Sequence, residues 1–237
     1  MCMLTSKSGK SNPPTNQAST KNLGLNPTLV KDSKNSGVCG QSSSTPSLGF
    51  QVVMSGVKKR FPRVSGISTE DLADLIERQE NAKERRLVVI DVRPEEEYSI
   101  SHIPSVVRVD PGTENMDIVR RTVHEHLTGE RSEPIHVVMY CSLGYRSSAL
   151  AEKLQRCLEV DDKKTGNNPH SAPMASSHGF PSNMHIYNLE GGLFKWAMEE
   201  RELVDRFQQP TKFVHPYNIV FGQLLSKDKR RYEVPRA

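Results

Sequence analysis

Long apolar runs are missing from this chain: no stretch approaches the length of a membrane span, so a spanning helix is not expected. The first residues carry no apolar core of the kind a secretory signal needs. Arginine is absent before Arg60 and no amphipathic helix precedes it, which weighs against a mitochondrial address although the start is Ser-rich and acid-poor. Cytoplasm is the expected location, with the mitochondrion as the alternative. Cysteine is scarce: Cys2, Cys39, Cys141 and Cys157 match no zinc pattern and no disulfide framework, as befits a reducing compartment. No metal or cofactor site is indicated.

Apolar side chains make up only 35% of the 237 residues and the mean hydropathy is −0.58, low for a compact globule of this length. Residues 1–50 explain much of the deficit, with ten Ser, five Asn, five Thr, five Gly, four Pro and Phe50 as the one aromatic. Such a segment buries too little apolar surface to offset its ordering entropy. Residues 1–60 are therefore expected to form a disordered arm. Acid is also lacking there: five Lys face Asp32 alone, which accounts for the whole chain's net charge of +4 and leaves the remainder neutral. A broad basic field for nucleic acid is thus not expected. Lys58-Lys59-Arg60 and Lys227-Asp228-Lys229-Arg230-Arg231 read as solvated ends.

Periodic segments begin near Phe61. Ser68-Thr69-Glu70-Asp71 has the form of a helix N-cap with acids in the first turn, and Leu72, Leu75 and Ile76 predict a helix over about 69–81. Leu87 to Val92 is a β-branched run suited to a strand buried on both faces. Pro94 and three Glu open a short helix that closes at Ser101-His102-Ile103-Pro104, before a candidate strand at Val106–Val109. Met116, Val119, Val123 and Leu127 share one face of a helix near 115–128. Ile135–Tyr140 is the next strand, and Leu150, Ala151, Leu154, Cys157 and Leu158 give an apolar face across 147–158. Residues 159–184 read as a long flexible insertion. His185–Leu189 resumes as a strand, and Gly191-Gly192 leads into a helix with Trp196 that is expected to run on through Arg201. The extension 206–237 is apolar enough at Phe213-Val214 and Ile219-Val220-Phe221 to pack on the domain. Strands alternating with helices predict a mostly parallel sheet with helices on both faces.

Chemistry concentrates in Tyr140-Cys141-Ser142-Leu143-Gly144-Tyr145-Arg146-Ser147-Ser148. Strand, tight loop and helix in that order set one thiol above the carboxyl end of a strand, where open α/β sheets place reactive groups. Loop amides, the helix dipole and Arg146 would favour thiolate over thiol. The competing reading is a buried cysteine ending a strand.

The Cys-x-x-Gly-x-Arg-Ser pattern resembles the active-site loop of rhodaneses, a family of sulfurtransferases. Asp91-x-Arg93, Glu97-Tyr98 and His102-Ile103-Pro104 are similar to that family's first signature, and Gly191-Gly192 before Trp196 to its last. The family usually has Gly before the His and Gly-Ala after the Pro; here stand Ser101, Ser105 and Val106. The resemblance spans about 63–205 and implies a rhodanese-like three-layer α/β domain with a five-stranded sheet, interrupted by the 159–184 insertion. Cysteine-dependent phosphatases have a wider loop; the four residues between Cys141 and Arg146 suit one carried sulfur better than a tetrahedral phosphate.

The resemblance implies that Cys141 attacks the outer sulfur of a donor such as thiosulfate and passes it from a persulfide to a thiophilic acceptor. Ser142, Leu143, Gly144, Tyr145, Arg146 and Ser147 would line the substrate loop. Arg146 would bind the anionic donor or tie the loop to a carboxylate; Gly144 would permit the turn; Ser147 would cap the helix or serve catalysis. Asp91 and Arg93 would support the loop from behind, unless Arg93 makes a surface ion pair with Glu95 to Glu97. His102 is expected to anchor its turn, and Cys157 to be a core thiol. A small-molecule or protein sulfur donor, a thiol acceptor, and a protein partner for the arm or insertion are the expected partners. A rhodanese-like interaction module without turnover is the alternative.

Overall fold

The computed structural model describes residues 47–128, 134–166 and 184–236. Five strands form one sheet: β1 (Ser65–Ile67), β2 (Leu87–Asp91), β3 (Val107–Arg108), β4 (Ile135–Tyr140) and β5 (Met184–Leu189). Their order is β1-β5-β4-β2-β3 and every pairing is parallel. Parallel neighbours need crossovers, so helices cover both faces and the strands must be apolar on both. On one face Val88, Ile90, Val137, Met139 and Ile186 pack with α4 (Met116–His126) and α5 (Tyr145–Gly166). On the other Val89, Val138, Tyr140 and Leu189 pack with α2 (Thr69–Glu80), α6 (Gly192–Met198) and α1 (Leu48–Arg60). A three-layer α/β domain results.

Register positions the site. Asp91 lies beside Tyr140, and Met139 beside Asn188, so the carboxyl ends of β2, β4 and β5 share one rim. From β2 the chain steps outward to β3, then returns to β4 and moves the opposite way to β5. Between β2 and β4 lies the switch in direction at which open sheets leave a crevice.

The expected arm of residues 1–60 requires correction over its last part. Residues 48–60 form α1, whose Phe50 is buried in the same core cluster as Val214 and Leu225. The Ser47 hydroxyl accepts from the Phe50 N–H and caps the helix. Residues 1–46 lie outside the described residues. The expected insertion 159–184 is corrected at both ends: α5 begins at Tyr145 and continues to Gly166, and β5 begins at Met184. Residues 167–183 lie outside the described residues. Helix α6 stops at Met198 rather than running through Arg201. Glu200 takes a left-handed φ of 56°, ending the helix with no glycine present. Ser105 does likewise, at φ 58°, in the turn after Pro104.

The extension contributes Val214 and Leu225 to the same core cluster as Phe50. Val214 donates to the Lys229 carbonyl and accepts from the Arg231 N–H, which stitches the last residues to the domain. Among the described residues no helix is long and apolar enough to cross a membrane. Phe50→Ala should destabilise the fold by about 3–5 kcal/mol, the cost of emptying a buried aromatic site. Urea denaturation checks this; a change under about 1 kcal/mol would mean that α1 is not part of the core.

Candidate active site

Cys141 follows the last residue of β4 and opens a loop that closes in four residues. Gly144, at φ 97°, makes the turn; its N–H donates to Cys141 Sγ at 3.1 Å, and its carbonyl accepts from Ser148 N–H in the first turn of α5. A side chain at 144 would also press on Asn188, whose Nδ2 lies 3.0 Å from the position of a Cβ. Gly144 thus has the turn-making role expected of it. The sulfur is recessed: Cys141 is 2% exposed.

The start of α6 grips the loop from behind. Leu193 and Phe194 N–H groups donate to the carbonyls of Cys141 (2.9 Å) and Ser142 (3.1 Å). That approach needs Gly192, at φ 55°, because a Cβ there would collide with the Cys141 carbonyl oxygen and the Leu143 N–H. Ser147 lies within the first turn of α5 rather than capping it, and its buried hydroxyl donates to Asn188 Oδ1 at 2.6 Å. Leu143 is buried; Tyr145 is exposed, its ring edge-on to Phe61 at 5.2 Å.

Arg146 is committed to a carboxylate. Its Nη1 and Nη2 donate to the two oxygens of Glu97 at 2.7 and 2.9 Å, and Nη2 also reaches Ser142 Oγ at 2.9 Å. Ser142 Oγ in turn donates to Glu97 Oε2 at 2.7 Å. Of the two roles considered for Arg146, the structure shows the tie to a carboxylate. Glu97 lies on α3 (Glu95–Ile100), on the face that also buries Ile100. Burial pushes the Glu97 carboxyl upward, but Arg146, Arg93 and Ser142 outweigh it and hold the group below its ordinary value. Burial likewise works to lower Arg146, and Glu97 with Cys141 raises it above the ordinary arginine value.

Beneath this pair lies a second one. Asp91 and Arg93 are fully buried, with Arg93 Nε donating to Asp91 Oδ1 at 2.8 Å and Nη2 to Oδ2 at 2.6 Å. Arg93 Nη2 also donates to the Ser101 carbonyl, and the Tyr140 hydroxyl accepts from Ile103 N–H. Burial and the Asp91 carboxylate hold the Tyr140 phenol well above the ordinary tyrosine value. The alternative of a surface ion pair between Arg93 and Glu95 to Glu97 is therefore corrected: the guanidinium points inward because Asp91, two residues earlier on β2, is its bidentate partner. Asp91 and Arg93 meet the loop indirectly, through Tyr140 just before Cys141 and through Glu97. His102 is stacked on Tyr98 and bonded through Nδ1 to the Tyr98 carbonyl, a structural position. Cys157 packs against the core of the α4 and α5 face.

Asn188 escapes reading from sequence, and Glu97 and Gly192 are read there only as parts of the family signatures, without the contacts they make. The sequence signals for Glu97 are its place before Tyr98 in that signature and its helical spacing from Ile100, three residues on. Asn188 is a buried polar side chain one residue before the end of β5, a strand that also carries His185 and Tyr187. No group of three or more His, Cys, Asp or Glu among the described residues is placed to hold a metal ion.

Comparison with models of known families shows one match. The model of the rhodanese-like domain matches residues 68–199, more than half of the chain. No curated protein matches. Among solved structures, a rhodanese-related protein from Thermoplasma volcanium is 20% identical, with a TM-score of 0.36, over 59% of this chain and 97% of its own. A thiosulfate sulfurtransferase from Pseudomonas aeruginosa is 16% identical, with a TM-score of 0.43, over 68% of this chain and 23% of its own. A yeast protein described as a tyrosine phosphatase of the rhodanese family is 18% identical, with a TM-score of 0.40, over 57% and 85%.

The depressed Glu97 carboxyl links stability to pH. Its contribution is complete above the ordinary value of 4.5 and is lost as pH falls through the lower value it has in the fold. Glu97→Gln should cost roughly 3 kcal/mol at pH 7, as when one partner of a buried pair is removed, and should flatten the acid limb of the stability curve. Urea midpoints across a pH series read both. A variant as stable as wild type, with an unchanged acid limb, would show that the clamp contributes nothing.

Proposed function

The chain belongs to the rhodanese-like domain family, and from that premise we propose that it is a sulfurtransferase working through a persulfide on Cys141. In the first half-reaction the Cys141 thiolate attacks the outer sulfur of thiosulfate or a similar donor. A new S–S bond forms, the old one breaks, and sulfite leaves with the bonding pair. In the second, cyanide or a thiolate attacks the outer sulfur of the persulfide and departs with it, returning Cys141 as thiolate. The residues divide the work. Gly144 N–H favours negative charge on sulfur. Glu97 and Arg146 keep the loop closed, and Gly192 lets α6 hold its carbonyls. Asp91 and Arg93 fix the turn below.

The observation that carries this reading is the Gly144 N–H donated to Cys141 Sγ at the end of the central strand. The engagement of Arg146 supports it further, since its paired Nη groups donate to the two oxygens of Glu97 and that fork is not open to a phosphate dianion. Burial of the sulfur is the observation that favours a second reading, a rhodanese-like interaction module without turnover. The donor, the acceptor thiol, any protein partner and a cytoplasmic setting belong to the same proposal.

Intact mass after incubation with thiosulfate separates the two. The wild-type chain is expected to gain one sulfur atom, discharged by cyanide, and Cys141→Ser none. Uptake by the Ser variant would end the proposal. A wild-type chain that never gains sulfur would leave the interaction module.

A further inference from the structure

The family match ends at residue 199, yet the extension beyond it returns to the cysteine loop. The Tyr217 ring lies over the Arg146 guanidinium, 4.6 Å from ring centroid to Cζ. Arg146 is the same side chain that holds Glu97 and Ser142 and interacts with Cys141. The placement is built in. Val214 and Pro216 are buried on the approach to Tyr217, and Gly222 packs so closely on Pro216 that a Cβ there would lie 2.8 Å from its ring. Tyr217 itself adopts φ 63°, a left-handed conformation that a tyrosine rarely takes. Its N–H donates to His215 Nδ1 at 3.1 Å, and the next N–H, of Asn218, donates to the Pro216 carbonyl at 2.7 Å. Strain of this kind persists where the surroundings over-determine it, and functional rims are where it collects.

Phe61, from the segment before the family match, stands against Tyr145. Segments flanking the match on either side thus each set an aromatic ring against a loop residue, around a sulfur that is itself recessed.

We propose that Tyr217 is a specificity-determining residue of the cysteine loop: its ring, laid over Arg146, narrows the approach to Cys141 so that slender sulfur compounds reach the thiol and bulky ones do not. This rests on the reading of Cys141 as a nucleophile and names the class of compound it serves. The acting part is the ring rather than the hydroxyl, because the contact is between a cation and a π face. Cavity and access are at issue here, not charge, since Glu97 already balances Arg146.

Alkylation of Cys141 in the intact chain tests this without requiring turnover. Rates are measured with iodoacetamide and with a maleimide carrying a bulky fluorophore, and peptide mass follows Cys2, Cys39 and Cys157 separately. Wild type is expected to react with the small reagent and to exclude the bulky one. Tyr217→Ala should speed the bulky reagent by about tenfold or more, the scale on which a pocket wall discriminates shapes, with little change for iodoacetamide. Tyr217→Phe should behave as wild type. Tyr217→Gly accepts the left-handed φ without strain, so it removes the ring while keeping the fold, and should match Tyr217→Ala. Equal acceleration of both reagents, no acceleration, or a wild-type thiol that does not discriminate would each overturn the gate. A thiol that alkylates with this size dependence yet takes no sulfur from thiosulfate would sink sulfur transfer and leave the gate standing.

Discussion

A cation next to a recessed sulfur has to be balanced, and in this fold the balance is the Glu97 carboxylate on Arg146. A buried charge without a partner is costly, so the pair decides how the loop closes. What lies above and below follows from it. Reading inward from solvent, the order is the Tyr217 ring, the Arg146 cation, the Glu97 anion, the Arg93 cation and the Asp91 anion. Each group faces one of opposite sign or, at the surface, a π face. The loop is therefore fastened to the sheet through alternating charges that sum to zero, and a change at any rung is felt by its neighbours on both sides.

The backbone supplies the other half of the fastening. Two α6 amides take the carbonyls of Cys141 and Ser142, and Gly192 gives them room. Glu97 holds the loop by its side chains and α6 holds it by its main chain, from different elements. That redundancy explains how a four-residue turn keeps one amide aimed at a sulfur although Tyr145 beside it is exposed.

Much of this was legible in the sequence because it is local. Ile135–Tyr140 is a β-branched run ended by a cysteine, Gly144 sits where a turn needs it, and Met116, Val119 and Val123 keep helical spacing; each element appeared where the pattern put it. What stayed hidden depends on partners distant in the chain. Three consecutive Glu at a helix start are explained by the dipole, and the signature that includes Glu97 does not say that Arg146 faces it. Phe50 closes a Ser-rich segment and becomes a core residue in a cluster assembled from distant parts of the chain, among them Leu193, Val214 and Leu225. The end of α6 was misplaced for a different reason: Glu200 takes the left-handed turn that a glycine would have announced.

The charge ladder also bears on which ligand the loop suits. Arg146 is held by Glu97 and Ser142 and also interacts with Cys141, so an anion at the sulfur would meet the Gly144 amide beside a cation whose charge Glu97 already balances. Amide dipoles of this kind favour negative charge on a sulfur, and a guanidinium fork adds to them where a tetrahedral dianion is bound. Releasing Arg146 to supply one would leave Glu97 buried, with Arg93 as its remaining cation, and would pull Ser142 from its place. The closure of the loop and the place of its one cation are thus a single arrangement, fixed by Glu97 and Ser142 together.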